Sequence, residues 1–201
     1  MTHTLIVPGV GGSEYEHWQS WLQRGLMQCS RVEQKDWNHP VLATWVKEFV
    51  QHVVTIKGDI EIVAHSFGCL TSVAALFQHP ELTRKIKKLI LVAPANPERF
   101  GENGFARESQ SNYGAYFHQL NIKVPTVMLI SENDPWLSFD DAQALAKSWH
   151  LKPINLGQVG HVNVASGFGP FPEIKQYLSP ESSMQHISNA DDGKYFFKFA
   201  F

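Results

Sequence analysis

The stretch "IEIVAHSFGCL", residues 60–70, joins two kinds of secondary structure. Its first half is a run of apolar and β-branched residues, which is typical of a buried strand. Its second half is helix-like, and Ser66 stands at the junction. A strand that passes directly into a helix is typical of an α/β fold, in which helices cover a central sheet.

The rest of the chain repeats this alternation over most of its length. Apolar runs predict strands at 3–9, 31–35, 59–65, 87–95, 124–132 and 152–156. Helical spacing of apolar residues predicts helices at 14–28, 41–56, 66–79, 139–149 and 171–178, with a mixed segment at 96–122. Continuous Val, Ile and Leu strands between helices predict a mostly parallel central sheet with helices on both faces. We expect one domain over residues 1–180, followed by a C-terminal tail at 181–201.

Composition excludes several classes of function. The chain has 201 residues, 43% apolar and 18% charged, as expected for one globular domain. A formal net charge of −2 gives no indication of a nucleic-acid partner. Cys29 and Cys69 provide neither a disulfide framework nor a paired-cysteine metal site, and we expect no metal or cofactor. The N-terminal apolar run is too short for a signal peptide or a membrane span, so we expect a cytoplasmic protein without a membrane partner.

Three reactive side chains follow three of the predicted strands. Ser66 follows the strand at 59–65, Asp134 the strand at 124–132, and His161 the strand at 152–156. Functional groups of parallel sheets lie in loops at the carboxyl ends of the strands, so we expect these side chains to meet. Their order along the chain, Ser, Asp, His, is that of the α/β-hydrolase catalytic triad. Ser66 would be the nucleophile, His161 the base, and Asp134 the group that orients the imidazole.

Such a triad needs backbone donors that stabilise the negative charge on the substrate oxygen. The N–H of Phe67, directly after the nucleophile, is one predicted donor. The glycine-rich turn "PGVGG", residues 8–12, follows the first strand, and its Val10 is the second predicted donor. Other residues expected near the substrate pocket are Gly9, Gly11, Trp136, Phe105 and Tyr116. For the aromatic residues among them, core packing or anchoring of a surface loop is an equally good interpretation.

Each reactive residue also has a purely structural interpretation. Ser66 would serve as the N-cap of the following helix, Asp134 would initiate a turn before proline, and His161 would be an ordinary loop histidine. Ala64 departs from the Gly-x-Ser-x-Gly pattern of a nucleophile elbow at its first position. Three motifs at three strand ends, in the right order, nevertheless favour the triad. His65, next to the nucleophile, is expected to point away from Ser66 and to pack or hydrogen-bond.

Residues 3–178 resemble the small serine hydrolases of the retinoblastoma-binding protein 9 type, a compact branch of the α/β-hydrolases. The resemblance rests on "IVPGVGGS", "HWQSWL", "DWNHP", "IVAHSFGCL", "LILVAPANPE", "SENDPW" and "GHVNVASGFGPFPE". It implies hydrolysis of ester or amide bonds by Ser66, Asp134 and His161, with alanine as a normal variant at position 64. Asn133 departs from the pattern, because the family more often has an acid there. The segment at 96–122 is also too short for a large cap domain.

The predicted function is hydrolysis of a small ester through an acyl-enzyme, as in a carboxylesterase. The same residues fit an aminopeptidase or amidase with a peptide-like substrate. A protein-interaction module that keeps the fold with little catalysis is the alternative from another class. The tail ends in "GKYFFKFAF", residues 193–201, whose alternating aromatic residues are typical of a strand. We expect this segment to add to a sheet edge or to form a homodimer.

Overall fold

A computed structural model of the chain describes residues 2–99 and 113–180. The predictions for Phe105 and for the tail at 181–201 lie outside the described residues.

The described residues contain a single sheet of six strands. The strands are β1 (His3–Val7), β2 (Cys29–Arg31), β3 (Ile60–Ser66), β4 (Ile86–Pro94), β5 (Thr126–Ile130) and β6 (Ile154–Asn155). They lie in the order β2-β1-β3-β4-β5-β6, and every neighbouring pair is parallel. The predicted parallel sheet is therefore confirmed. All its strands end at the same edge, where the three reactive residues were expected.

Five α-helices lie in the same part of the chain. They are α1 (Trp18–Arg24), α2 (Leu42–Thr55), α3 (Phe67–Gln78), α4 (Tyr113–His118) and α5 (Phe139–Ser148). Short 3-10 turns follow at Pro80–Lys85, Pro97–Arg99, Val164–Ser166 and Pro172–Tyr177. The last of these replaces the α-helix predicted at 171–178.

Two other elements differ from their predicted bounds for identifiable reasons. α1 begins at Trp18 and not at residue 14, because the ring of His17 caps it by accepting a hydrogen bond from the backbone N–H of Gln19. β2 lies at Cys29–Arg31 and not at 31–35. Its partner strand β1 ends at Val7, and Pro8 has no N–H with which to extend the ladder.

Alternating residues of the central strands face two separate cores. Leu5, Ile62 and Leu91 belong to the core beneath α2, α3 and α5, while Ile6 and Val63 belong to the core beneath α1. Helices therefore cover both faces, as predicted. This double cover buries the sheet and leaves the loops at the strand ends free to form a site.

No helix in the described ranges is both long and apolar enough to cross a membrane.

Candidate active site

Ser66 occupies a sharp turn between β3 and α3. Its backbone angles are φ 54° and ψ −122°, a sparsely populated conformation for a residue other than glycine. Its side chain makes no capping hydrogen bond to α3, so the interpretation of Ser66 as a simple helix cap is wrong. A strained residue persists only where its surroundings hold it, and such residues cluster at functional sites.

Small residues around Ser66 allow this turn to form. A β-carbon placed on Gly68 would overlap the carbonyl oxygens of Val7 and Pro8, so α3 begins directly against the end of β1. A β-carbon on Gly9 would lie only 2.7 Å from that of Ser66. The close approach brings the loop after β1 next to the serine.

Side chains from three strand ends meet in a continuous hydrogen-bonded chain. The hydroxyl oxygen of Ser66 lies 2.9 Å from Nε2 of His161. Nδ1 of His161 lies 2.8 Å from Oδ2 of Asp134, and both of these side chains are buried. Because a carboxylate only accepts, Nδ1 carries the proton, and Nε2 is left to accept from the serine hydroxyl. The backbone N–H of Trp136 donates to Oδ1 of Asp134 at 2.8 Å and orients the carboxylate.

The backbone of His161 is held on both sides by side chains. Its N–H donates to Oγ of Ser166 at 3.0 Å, and its carbonyl oxygen accepts from Nε2 of His65 at 2.9 Å. On the residue before it, the N–H of Gly160 donates to Oδ1 of Asn133 at 2.7 Å. The imidazole therefore projects from a segment whose position is fixed by several other elements.

The residue after His161 is strained. Val162 has φ 48°, which is an outlier for a β-branched residue. Its side chain is fully buried, and its carbonyl oxygen accepts a hydrogen bond from the indole N–H of Trp18 at 2.8 Å. Packing and this hydrogen bond hold the turn that places His161.

A cavity of about 290 Å³ opens beside Ser66 and His161. Its walls come from the loops after β1, β3, β4, β5 and β6. The two predicted backbone donors, Val10 and Phe67, both line it, as does Trp136. The centre of the Trp136 ring lies 6.4 Å from that of His161, and the guanidinium of Arg99 lies 4.8 Å from the centre of the same Trp136 ring.

Three other predicted pocket residues are not among the described residues that line this cavity. Gly9 packs behind Ser66. Gly11 is engaged through its N–H, which donates to the carbonyl oxygen of Trp37 at 3.0 Å. The hydroxyl of Tyr116 accepts from Gln78 at 2.9 Å, and its ring packs against Phe117. Gly9, Gly11 and Tyr116 therefore lie outside the described lining of this cavity, and their contact with a substrate stays a prediction.

Sequence reasoning missed a second group of cavity residues, of which His17 is the most buried. Helical periodicity placed His17 inside a helix, whereas it lies in the loop before α1 with 3% of its surface exposed. Burial, with smaller contributions from Arg31 and His161, lowers the pKa of His17 to about 3. The sequence feature that could have indicated a cavity role for His17 is its position shortly after the glycine-rich turn that follows β1. His65, predicted to pack or hydrogen-bond, does both and also lines the cavity.

The chain is similar in fold to several solved structures. The chain is 30% identical to a YdeN-like hydrolase from Pectobacterium atrosepticum, covering 90% of this chain and 91% of that one with a TM-score of 0.75. The ydeN gene product of B. subtilis shares the fold at 18% identity, covering 92% of this chain and 100% of that one, with a TM-score of 0.71. Est1E of Butyrivibrio proteoclasticus with bound ferulic acid also shares the fold, at 17% identity, 88% coverage of each chain and a TM-score of 0.60.

A search among curated protein sequences gave no significant match. The model of the serine hydrolase family, by contrast, matches residues 4–180. The chain therefore belongs to the serine hydrolase family.

Proposed function

We propose that the protein hydrolyses small carboxylic esters through an acyl-enzyme formed on Ser66. The observation that carries this proposal is the hydrogen-bonded chain from Ser66 through His161 to Asp134 at the edge of a cavity. A serine hydroxyl becomes a useful nucleophile when a base within hydrogen-bond reach accepts its proton. The strained backbone of Ser66 supports the same role, since it is typical of a nucleophile elbow.

The proposed reaction has two halves. The oxygen of Ser66 attacks the ester carbonyl carbon while Nε2 of His161 takes the serine proton. His161 then gives this proton to the oxygen of the leaving alcohol as the bond from the carbonyl carbon to that oxygen breaks. In the second half, His161 takes a proton from water, whose oxygen attacks the acyl group. The carboxylic acid leaves and Ser66 regains its proton, with Asp134 stabilising the imidazolium in each half.

The backbone N–H groups of Val10 and Phe67 are the proposed oxyanion donors. Phe67 opens α3 directly after Ser66 and lines the cavity beside it. Val10 follows Gly9, and the close approach of Gly9 to Ser66 brings this turn beside the serine. N–H donors that are already in position where negative charge develops on the substrate oxygen stabilise the transition state, because the protein does not have to rearrange during the reaction.

The cavity supports a small substrate. Its volume of about 290 Å³ lies at the lower end of the range for small-molecule sites. The aromatic ring of Trp136 provides an apolar wall beside the reacting groups. We also propose that the chain belongs to the retinoblastoma-binding protein 9 branch of its family, a proposal supported by the motifs of the sequence. The cytoplasmic location and a homodimer formed through the tail stay predictions from the sequence.

The experiment that tests the proposed function compares esters and amides with the same acyl groups. Rates would be measured for p-nitrophenyl esters and p-nitroanilides of acetate, butyrate and octanoate, with Ser66→Ala as the control. We expect the short esters to give the highest kcat/KM and Ser66→Ala to reduce it to background. Faster hydrolysis of the anilides would favour an amidase. No turnover of any substrate would favour the interaction module.

A further inference from the structure

Two histidines outside the Ser66–His161–Asp134 chain line the same cavity. His17 and His65 have only 3% and 4% of their surfaces exposed. Their ring centres are 4.9 Å apart, and the ring of His65 is also 4.9 Å from that of His161. The three imidazoles therefore form a row, with His161 at one end.

Hydrogen bonds fix the tautomers of both additional rings. Nδ1 of His17 accepts from the N–H of Gln19 at 3.1 Å, so a neutral ring carries its proton on Nε2. Nε2 of His65 lies 2.9 Å from the carbonyl oxygen of His161, which only accepts, so the proton of His65 is also on Nε2. The lone pair of His65 is therefore on Nδ1.

Burial keeps both rings neutral. It lowers the pKa of His17 to about 3 and holds the pKa of His65 well below its ordinary value, with neighbouring histidines contributing to both shifts. At neutral pH His17 thus has one fixed N–H donor, Nε2, and His65 one fixed acceptor, Nδ1, and both residues line the cavity.

Neither of these two nitrogens has a hydrogen-bond partner among the described residues. A hydroxyl group is the matching partner for two such rings, whose centres lie 4.9 Å apart, because it accepts from an N–H and donates to a lone pair. We infer that His17 and His65 together bind a hydroxyl group of the substrate.

The position of this site indicates which part of the substrate carries the hydroxyl. The inference rests on the proposed function, in which His161 gives its proton to the leaving alcohol. The alcohol must then lie beside His161, and His65 packs against that ring. The favoured substrate class is an ester of a diol or polyol, with a free hydroxyl a few bonds from the ester oxygen.

A matched pair of esters tests the inference. 2-Hydroxyethyl butyrate and propyl butyrate have the same size and differ only in a terminal hydroxyl in place of a methyl group. A site that hydrogen-bonds a hydroxyl discriminates strongly against the analogue that lacks it, so we expect kcat/KM to favour the hydroxyethyl ester by at least about tenfold. Equal kcat/KM values would mean that the two nitrogens bind water alone, and would overturn the inference.

Two variants test whether the preference for the hydroxyethyl ester depends on His17. His17→Ser keeps a good helix cap and removes the ring N–H, so the preference for the hydroxyethyl ester should fall towards unity. His39→Ser is the matched control, because its side chain is 71% exposed and does not line the cavity. A preference that survives in His17→Ser would contradict the assignment.

A binding measurement separates failure of this inference from failure of the proposed function. The dissociation constants of the two esters for Ser66→Ala would be measured by ligand-observed NMR, which needs no turnover. Tighter binding of the hydroxyethyl ester supports the hydroxyl site even if the unmutated protein hydrolyses neither ester. Equal dissociation constants overturn it even if both esters are hydrolysed.

Discussion

Ser66 has a backbone conformation that its neighbours enforce. Its positive φ is strained for serine, and the strain is held by the close approach of Gly9 and by the start of α3 against β1. Ala64, two residues earlier, is fully buried between Val7 and Leu91 of the adjacent strands. Its methyl group fits where the motif usually has glycine.

The first prediction concerns the size of residue 64. Ala64→Gly adds no atoms, so kcat/KM with p-nitrophenyl acetate should stay nearly unchanged. Ala64→Val adds two methyl groups to a filled core, which costs about 1–3 kcal/mol and displaces the serine that follows. We expect kcat/KM to fall by at least about tenfold, with thermal unfolding showing that the variant still folds. Full activity of Ala64→Val would mean that the turn is not as tight as the structure indicates.

At the scale of elements, Asn133 is one of the side chains that link the loops after β5 and β6. Oδ1 of Asn133 accepts from the hydroxyl of Ser131 at 3.0 Å and from the N–H of Gly160 at 2.7 Å. The loop that carries Asp134 thereby holds the loop that carries His161. Asn133 itself does not line the cavity, so it acts as a positioning residue.

The second prediction follows from this link. Asn133→Ala leaves the N–H of Gly160 without its acceptor, so the imidazole should lose its fixed position and kcat should fall by at least about tenfold. KM should change little, because no cavity wall is removed. Asn133→Asp keeps an oxygen in the same place and should retain most of the activity. Equal losses of kcat in both variants would indicate that the hydrogen bond from Gly160 to residue 133 does not position His161.

Apolar patterns predicted the central strands well but did not predict the ends of α1. β3 and β4 are long apolar runs, and the structure places them within one residue of their predicted starts. α1 was predicted to begin four residues too early and to end four residues too late, since the ring of His17 caps its start and Gly25 is its C-cap. Periodicity describes which face is buried, but it does not show which side chain bonds to the backbone.

Part of the candidate site could be predicted from the strand pattern, and part depends on tertiary contacts that this pattern does not show. Ser66, Asp134 and His161 were found because each follows a recognisable strand, and strand ends converge in a parallel sheet. The positions of Gly11 and Tyr116 outside the described cavity lining could not be predicted, because their hydrogen bonds, to Trp37 and Gln78, depend on tertiary neighbours. The cavity role of His17 depends on packing against His65, which comes from a strand far away in the sequence.

At the scale of the whole molecule, buried neutral histidines link stability to pH. His17 and His65 have lowered pKa values when folded, whereas an unfolded histidine has a pKa of about 6.5. Below that pH the unfolded chain binds protons that the folded chain does not, so acidification favours unfolding. Each such histidine contributes a loss of about 1.4 kcal/mol per pH unit between the two pKa values.

The third prediction is that the free energy of unfolding in urea falls between pH 7 and pH 5. His17→Ser removes one of the two groups, so its stability should fall less over the same interval. His39→Ser is the control for the loss of an exposed imidazole. An identical pH dependence in His17→Ser would show that the ring of His17 is not kept neutral by the fold.

The fourth prediction concerns the tail and rests on the sequence alone. Alternating aromatic residues at 193–201 favour a strand that is covered by another surface. Deletion of residues 189–201 should therefore lower the melting temperature or change the oligomeric state seen in light scattering. An unchanged melting temperature together with an unchanged mass would remove the idea of an added strand or a dimer contact.

The central claim is that Ser66 is an activated nucleophile. Its most direct test is reaction of the folded protein with a fluorophosphonate, followed by mass spectrometry of the intact chain and its peptides. We predict one adduct per chain, located on Ser66, and none in Ser66→Ala. Absence of an adduct on the unmutated protein, or an adduct that persists in Ser66→Ala, would contradict the account.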